Sequence, residues 1–176
     1  MARIGILGGS FNPPHNGHIG IAQHVLRNDW VDEVWVIPCL DHPYGKTIAP
    51  FLDRIAMCQL AFQGIEHVIV SDFESQLSTP SYTVQTLRAL KQKFSHDWSL
   101  IVGSDISDEV LSHWKDGAEI PTLAPLLLVP RGPRSPIPNV SATNIRKAVQ
   151  DGTSITALVP EPVAQYIQSH QLYQTR

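Results

Sequence analysis

Five short apolar runs constrain this chain more than any other feature: Ile4–Leu7, Val34–Ile37, Val68–Val70, Leu100–Val102 and Leu126–Val129. None alternates apolar with polar residues, as a strand with one wet face would. A continuous Val/Ile/Leu run describes a strand covered on both faces, the habit of parallel sheets. Each run stops at a residue that turns or breaks: Gly8, Pro38, Ser71, Gly103 and Pro130. Between the runs, apolar residues return at helical spacing. Ile21, Ala22, Val25 and Leu26 form one stripe; Phe51, Ile55, Cys58 and Phe62 a second; Val84, Leu87, Leu90 and Phe94 a third; Ile106, Val110, Leu111 and Trp114 a fourth. Each stripe predicts a helix with one face to bury. Two more helices are predicted near the end, one capped by Ser141 and carrying Ile145, Ala148 and Val149, the other with Pro162 in its first turn and carrying Val163 and Ile167. Strands alternating with helices predict an α/β fold around a parallel sheet.

Length and composition set the outer bounds. The chain has 176 residues, of which 43% are hydrophobic and 16% charged. That suits one domain over residues 1–176 with a real core, and excludes a disordered or acidic tail. Thirteen Lys and Arg against sixteen Asp and Glu give a net charge of −3, which is not the balance of a general nucleic-acid binder. The apolar runs are far below the ~20 residues of a membrane span. Met1-Ala2-Arg3 leads straight into Ile4, so no secretory leader is expected. Two cysteines, Cys39 and Cys58, fit neither a disulfide framework nor a zinc site and read as buried thiols in a reducing cytoplasm.

The chemistry gathers after the first run. Gly8-Gly9-Ser10-Phe11-Asn12-Pro13-Pro14-His15-Asn16-Gly17-His18 forms a glycine turn leading into a helix. In open α/β sheets that edge is where ligands bind, and N–H groups at a helix start face phosphate readily. It is neither a G-x-G-x-x-G fingerprint nor a P-loop. His15 and His18 lie three apart, where both can face one anion, donate to it and carry positive charge as its charge builds. Other readings stay open: a metal pair lacking any third ligand, a histidine that only caps or packs, and a turn that is only a tight connection. The proline-rich Pro130–Asn139 segment, with Arg131 and Arg134, reads as a surface loop near this edge.

The segment Gly9–His18 resembles the signature of the nucleotidyltransferase superfamily, and is most similar to its bacterial nicotinate-nucleotide adenylyltransferase branch. Pro80-Ser81-Tyr82-Thr83 with Thr86-Leu87, then Gly103-Ser104-Asp105, Trp114, and Val140-Ser141-Ala142-Thr143-Asn144-Ile145-Arg146 extend the resemblance, as do Leu158–Pro160, Tyr166-Ile167 and Leu172-Tyr173. The resemblance implies a Rossmann-like three-layer sandwich with a five-stranded parallel sheet. It implies in-line attack of a pyridine mononucleotide phosphate on the α-phosphorus of ATP, with pyrophosphate leaving and no covalent enzyme intermediate. The partners would be ATP and nicotinate or nicotinamide mononucleotide, with Mg²⁺ held through the ATP phosphates and no protein metal site; nucleic acid and membrane are not expected, and a homo-oligomer is left open. His15, His18 and Arg146 would be catalytic, with His18 nearest the α-phosphate. Gly8, Gly9, Ser10 and Phe11 would surround phosphates, Ser141 and Thr143 would start a phosphate-facing helix, Gly103 and Asp105 would meet the ribose, and Tyr82, Thr83 and Trp114 would line the pyridine pocket. Each also has a plainer reading: Ser141 or Asp105 as an N-cap, Thr83 as a cap, Trp114 in the core, Arg146 on the surface.

One segment departs from the family. Where the branch carries a short Pro-His-Lys, this chain has Pro38-Cys39-Leu40-Asp41-His42-Pro43-Tyr44-Gly45-Lys46. Lys46 is expected on a phosphate, with Arg54 assisting, and the change bears on the acceptor more than on ATP. The competing readings are a phosphopantetheine adenylyltransferase or cytidylyltransferase, and an ATP-binding regulator without turnover. A class I aminoacyl-tRNA synthetase is excluded by length and by the lack of K-M-S-K-S.

Overall fold

The computed structural model describes residues 1–174. Strands β1 (Arg3–Gly9), β2 (Glu33–Pro38), β3 (Val68–Val70), β4 (Asp97–Gly103) and β5 (Leu126–Val129) pair in parallel in the order β3-β2-β1-β4-β5. Helices α1 (Asn16–Arg27), α2 (Phe51–Phe62), α3 (Thr83–Lys93), α4 (Asp108–Ser112), α5 (Ile120–Leu123), α6 (Ala142–Gln150) and α7 (Glu161–Ser169) connect and flank them. All five apolar runs are strands, and the expected α/β, Rossmann-like sandwich is the fold observed.

The runs are continuous because both faces of the sheet are covered. Successive residues of one strand enter opposite cores. Leu7, Val34, Val36 and Ile101 join α1, α2, α6 and α7 in one core. Ile4, Ile6, Ile37 and Leu100 join α3, α4 and α5 in the other. Val25, Val34, Val84, Leu90, Ile120 and Ile145 are fully buried.

The register aligns the strand ends that matter. Gly9 faces Pro38 and Gly103 faces Val129. β1 is central, with β2 and β3 built outward on one side and β4 and β5 on the other. The chain reverses its direction of growth between β1 and β4, and a crevice opens there at the strand carboxyl ends.

The fourth helix departs from expectation. The Ile106–Trp114 stripe predicts one longer helix, but α4 is a five-residue turn. Its N-cap is Ser107, whose hydroxyl accepts from the Val110 N–H (3.3 Å), and not Asp105. Asp116 takes a left-handed φ of 49° and turns the chain toward α5, which carries Pro121 in its first turn. A Cβ on Gly117 would collide with the Leu111 carbonyl, so this close return needs glycine. Elsewhere Ser141 caps α6, accepting from the Asn144 N–H, and Pro162 lies in the first turn of α7.

Candidate active site

The turn after β1 folds back on itself and fixes two imidazoles. Phe11 holds a φ of 47° and is buried, its ring 4.7 Å from that of His18. His15 is the N-cap of α1: its Nδ1 accepts from the Gly17 N–H (3.1 Å). The His15 N–H in turn donates to His18 Nδ1 (3.1 Å), closing a reciprocal capping box made of two histidines. The rings stack at 3.8 Å between centroids and 25° between planes.

This geometry assigns the tautomer. Each Nδ1 is an acceptor, so each neutral ring carries its proton on Nε2 and offers a donor there. Burial, with the Arg131 guanidinium nearby, pushes His15 down to about 4. Burial, the neighbouring His15 and Arg131 hold His18 well below the usual imidazole range. The free site therefore holds two neutral donors rather than the cations that a lone imidazole suggests.

Arg131 comes from the proline-rich loop. With Ser135, Pro138 and Val140 it closes a pocket of about 100 Å³ over His15 and His18, so the loop lies at the site as expected. Close packing keeps it there: a Cβ on Gly20 would come within 2.7 Å of Pro138 Cδ, and one on Gly17 within 3.1 Å of the Pro138 carbonyl. Arg131 Nε also lies 3.6 Å from Asp105 Oδ1 across the ends of β4 and β5. Asp105 is thus exposed and ion-paired, and the buried Gly103 has its Cβ position filled by Asp105 and Arg131.

Arg146 binds the two signatures together. Its Nη1 donates to the Asn12 carbonyl (2.7 Å) and its Nη2 to Thr143 Oγ1 (3.3 Å). It is half-buried, not a solvated surface arginine. Ser141 and Thr143 stand exposed at the start of α6.

A second, larger cleft of about 220 Å³ lies on the other side of the β1 turn. Gly8, Gly9 and Ser10 form its floor, Tyr82, Thr83 and Trp114 its aromatic side, and His42 and Tyr44 its outer wall. Tyr82, not Thr83, is the N-cap of α3, so Thr83 is free of that role. Trp114 is half-buried and belongs both to the second core and to the cleft.

Two of the expected residues stand apart from both pockets. Lys46 is exposed on the loop after β2 and lines neither pocket. Arg54 is fully buried and does not reach toward an acceptor. It donates to the carbonyls of Ala49 (2.8 Å), Ser10 (2.9 Å) and Leu40 (3.1 Å), tying the altered segment to the glycine turn. Its place on the apolar face of α2, three residues after Phe51 and four before Cys58, was the signal available for a buried arginine. Cys58 is buried, whereas Cys39 is only half-buried and lines the cleft. Glu74 is a buried polar residue at the site that no motif marked, and Asn12, within the glycine-turn motif, is buried but was assigned no role.

The profile of the cytidylyltransferase-like family matches residues 6–148. A protein of Anaeromyxobacter sp. (strain K) named "probable nicotinate-nucleotide adenylyltransferase" is 37% identical over 180 residues, which cover 97% of this chain and 96% of that one. One of the same name from Myxococcus xanthus is 37% identical over 182 residues, covering 97% and 94%. The chain belongs to the nicotinate-nucleotide adenylyltransferase branch of the cytidylyltransferase-like family. This nucleotidyltransferase also shares its fold with the Plasmodium falciparum nicotinic acid mononucleotide adenylyltransferase solved in complex with NaAD, at a TM-score of 0.81 over 98% of each chain and 20% identity. No helix among the described residues is long and apolar enough to cross a membrane.

Proposed function

We propose that this chain, as a single nucleotidyltransferase domain, transfers AMP from ATP to nicotinate mononucleotide and releases pyrophosphate, a step of NAD biosynthesis. The observation that carries the reading is the stacked His15–His18 pair, both Nε2–H groups left as donors, lining a phosphate-sized pocket next to an aromatic-sided cleft. Relatives matched over nearly their whole length bear the same name, which supports the acceptor.

The reaction needs no enzyme nucleophile, because the acceptor phosphate attacks the α-phosphorus directly. The protein's work is positioning and charge stabilisation. His15 and His18 donate to ATP phosphate oxygens, His18 nearest the α-phosphate, where the charge rises in the transition state. Arg131 adds a fixed positive charge over the same pocket. The capped start of α6 keeps N–H groups for phosphate, with Ser141 satisfying Asn144 and Arg146 holding the helix against the Asn12 turn. Gly8, Gly9 and Ser10 present backbone between the two pockets, Asp105 accepts from ribose hydroxyls, and Tyr82, Thr83 and Trp114 hold the pyridine ring. Among the described residues no three His, Cys, Asp or Glu side chains gather to hold a metal. Mg²⁺ is proposed to enter with the ATP substrate, held by phosphate and water. Two free thiols suit a reducing, cytoplasmic setting.

The test is an acceptor panel. Protein, ATP and Mg²⁺ are mixed separately with nicotinate mononucleotide, nicotinamide mononucleotide and phosphopantetheine, following pyrophosphate and the mass of the product. Preferential formation of the nicotinate dinucleotide is expected. Turnover with phosphopantetheine alone would replace the acceptor, and ATP binding without any turnover would make the chain a regulator.

A further inference from the structure

Glu74 lies outside every motif, yet it is a buried carboxylate at the wall of the aromatic-sided cleft, 7% exposed. It sits on the 3₁₀ turn Phe73–Gln76 after β3, and the buried Phe73 ring anchors that turn in the core. Both of its oxygens are engaged by protein donors. The Leu40 N–H donates to Oε2 (3.0 Å), and Thr86 Oγ1 donates to Oε1 (2.7 Å). Leu40 lies in the altered segment whose His42 and Tyr44 line one wall of the cleft; Thr86 lies one turn into α3, after Tyr82 and Thr83, which line it from the start of α3. The carboxylate therefore spans the two walls.

Leu40 is held from its other side as well. Its carbonyl accepts from Arg54 Nη2 (3.1 Å), so the backbone of this one residue is held between two buried groups of opposite charge. One further tie joins the walls, from the Asp41 N–H to Ser81 Oγ (3.2 Å). A carboxylate lining a cleft that is to receive an anionic nucleotide is unfavourable on electrostatic grounds unless its charge is taken up by protein donors, and here it is.

We propose that Glu74 is a positioning residue that fixes the width of the acceptor cleft by clamping Leu40 to Thr86. It acts on nicotinate mononucleotide through the two walls and leaves the ATP pocket, on the far side of the β1 turn, unaffected. This inference rests on the proposed reaction.

The experiment is steady-state kinetics on Glu74→Ala, Glu74→Gln and Thr86→Val, varying each substrate in turn. Glu74→Ala raises the KM for nicotinate mononucleotide by about tenfold or more and leaves the KM for ATP within about twofold. Glu74→Gln restores acceptor KM to within roughly threefold of wild type, because the amide accepts from Leu40 while its NH₂ donates to Thr86 Oγ1 with the hydroxyl turned. Thr86→Val, which keeps the carboxylate and removes one arm, raises acceptor KM several-fold and decides the question if Glu74→Ala does not fold. An unchanged acceptor KM in Thr86→Val or folded Glu74→Ala, or an equal rise for both substrates, overturns the role of Glu74 alone. Absence of wild-type turnover with nicotinate mononucleotide overturns this role together with the proposed reaction.

Discussion

Two imidazoles show how much one hydrogen bond decides at the residue scale. A histidine beside phosphate is easily read as a cation, but the Gly17 and His15 N–H groups occupy the two Nδ1 atoms and burial removes the charge. In the free protein the His15 ring is expected to titrate near pH 4, followed by its carbon-bound proton resonances, and Arg131→Ala is expected to raise that value. A His15 that titrates near 6.5 would contradict the neutral pair. His18→Ala is expected to cut turnover by about 10²-fold or more while the circular dichroism spectrum is unchanged; near-normal turnover would remove His18 from the mechanism. The pair itself was legible, since few chains follow a strand with a glycine turn and two histidines at a helix start. Its stacking and its charge state were not, because they depend on which backbone N–H each ring meets. Arg54 was misjudged for a related reason: its charge suggested a ligand, whereas its place among Phe51, Ile55 and Cys58 pointed inward.

Whole elements were read from sequence where one face is long and uniformly apolar. The five strands and helices α1, α2, α3, α6 and α7 satisfy that condition, and the structure has them all. The Ile106–Trp114 stripe failed because its spacing arises from one capped turn and the turns on either side of it, not from a continuous helix. The short α5 carries too few residues for any period to show. The Pro38–Lys46 segment was flagged as altered, yet what holds it and its continuation to Ala49, namely Arg54, Glu74 and Asn12, comes from three separate places in the chain. At this scale Arg54→Met is expected to lower stability by about 3 kcal/mol or more, since the buried carbonyls of Ala49, Ser10 and Leu40 lose their donor; urea denaturation measures it. Gly20→Val is expected to push the Pro130–Asn139 loop off α1 and raise the KM for ATP with little change for the acceptor. An unaltered ATP KM would show that the loop does not depend on that close approach.

For the whole molecule, the reversal of strand order between β1 and β4 puts both half-sites at one edge. The phosphate pocket is built from α1 and the loop after β5, and the cleft from the β2 loop, α3 and Trp114, with the Gly8–Ser10 turn between them. The histidines that make this site also set its acid response. Their pKa values are lowered on folding, so the unfolded chain binds protons first, at about 6.5, and the folded chain resists until about 4 for His15. Stability is thus full above about pH 6.5 and falls as the pH drops from there toward 4, by up to roughly 3 kcal/mol from His15 alone. Melting temperatures across pH 4–8 are expected to show that fall, and His15→Gln to flatten it.

In the proposed reaction AMP passes in one step between two substrates held on either side of the β1 turn, with no enzyme-bound intermediate. Phosphorus stereochemistry tests it most directly. With ATP made chiral at the α-phosphorus by sulfur substitution and nicotinate mononucleotide as acceptor, a single in-line displacement inverts the configuration of the dinucleotide product. Inversion is the predicted result. Retention would require two displacements and a covalent adenylylated side chain, and would contradict a site that works by positioning alone.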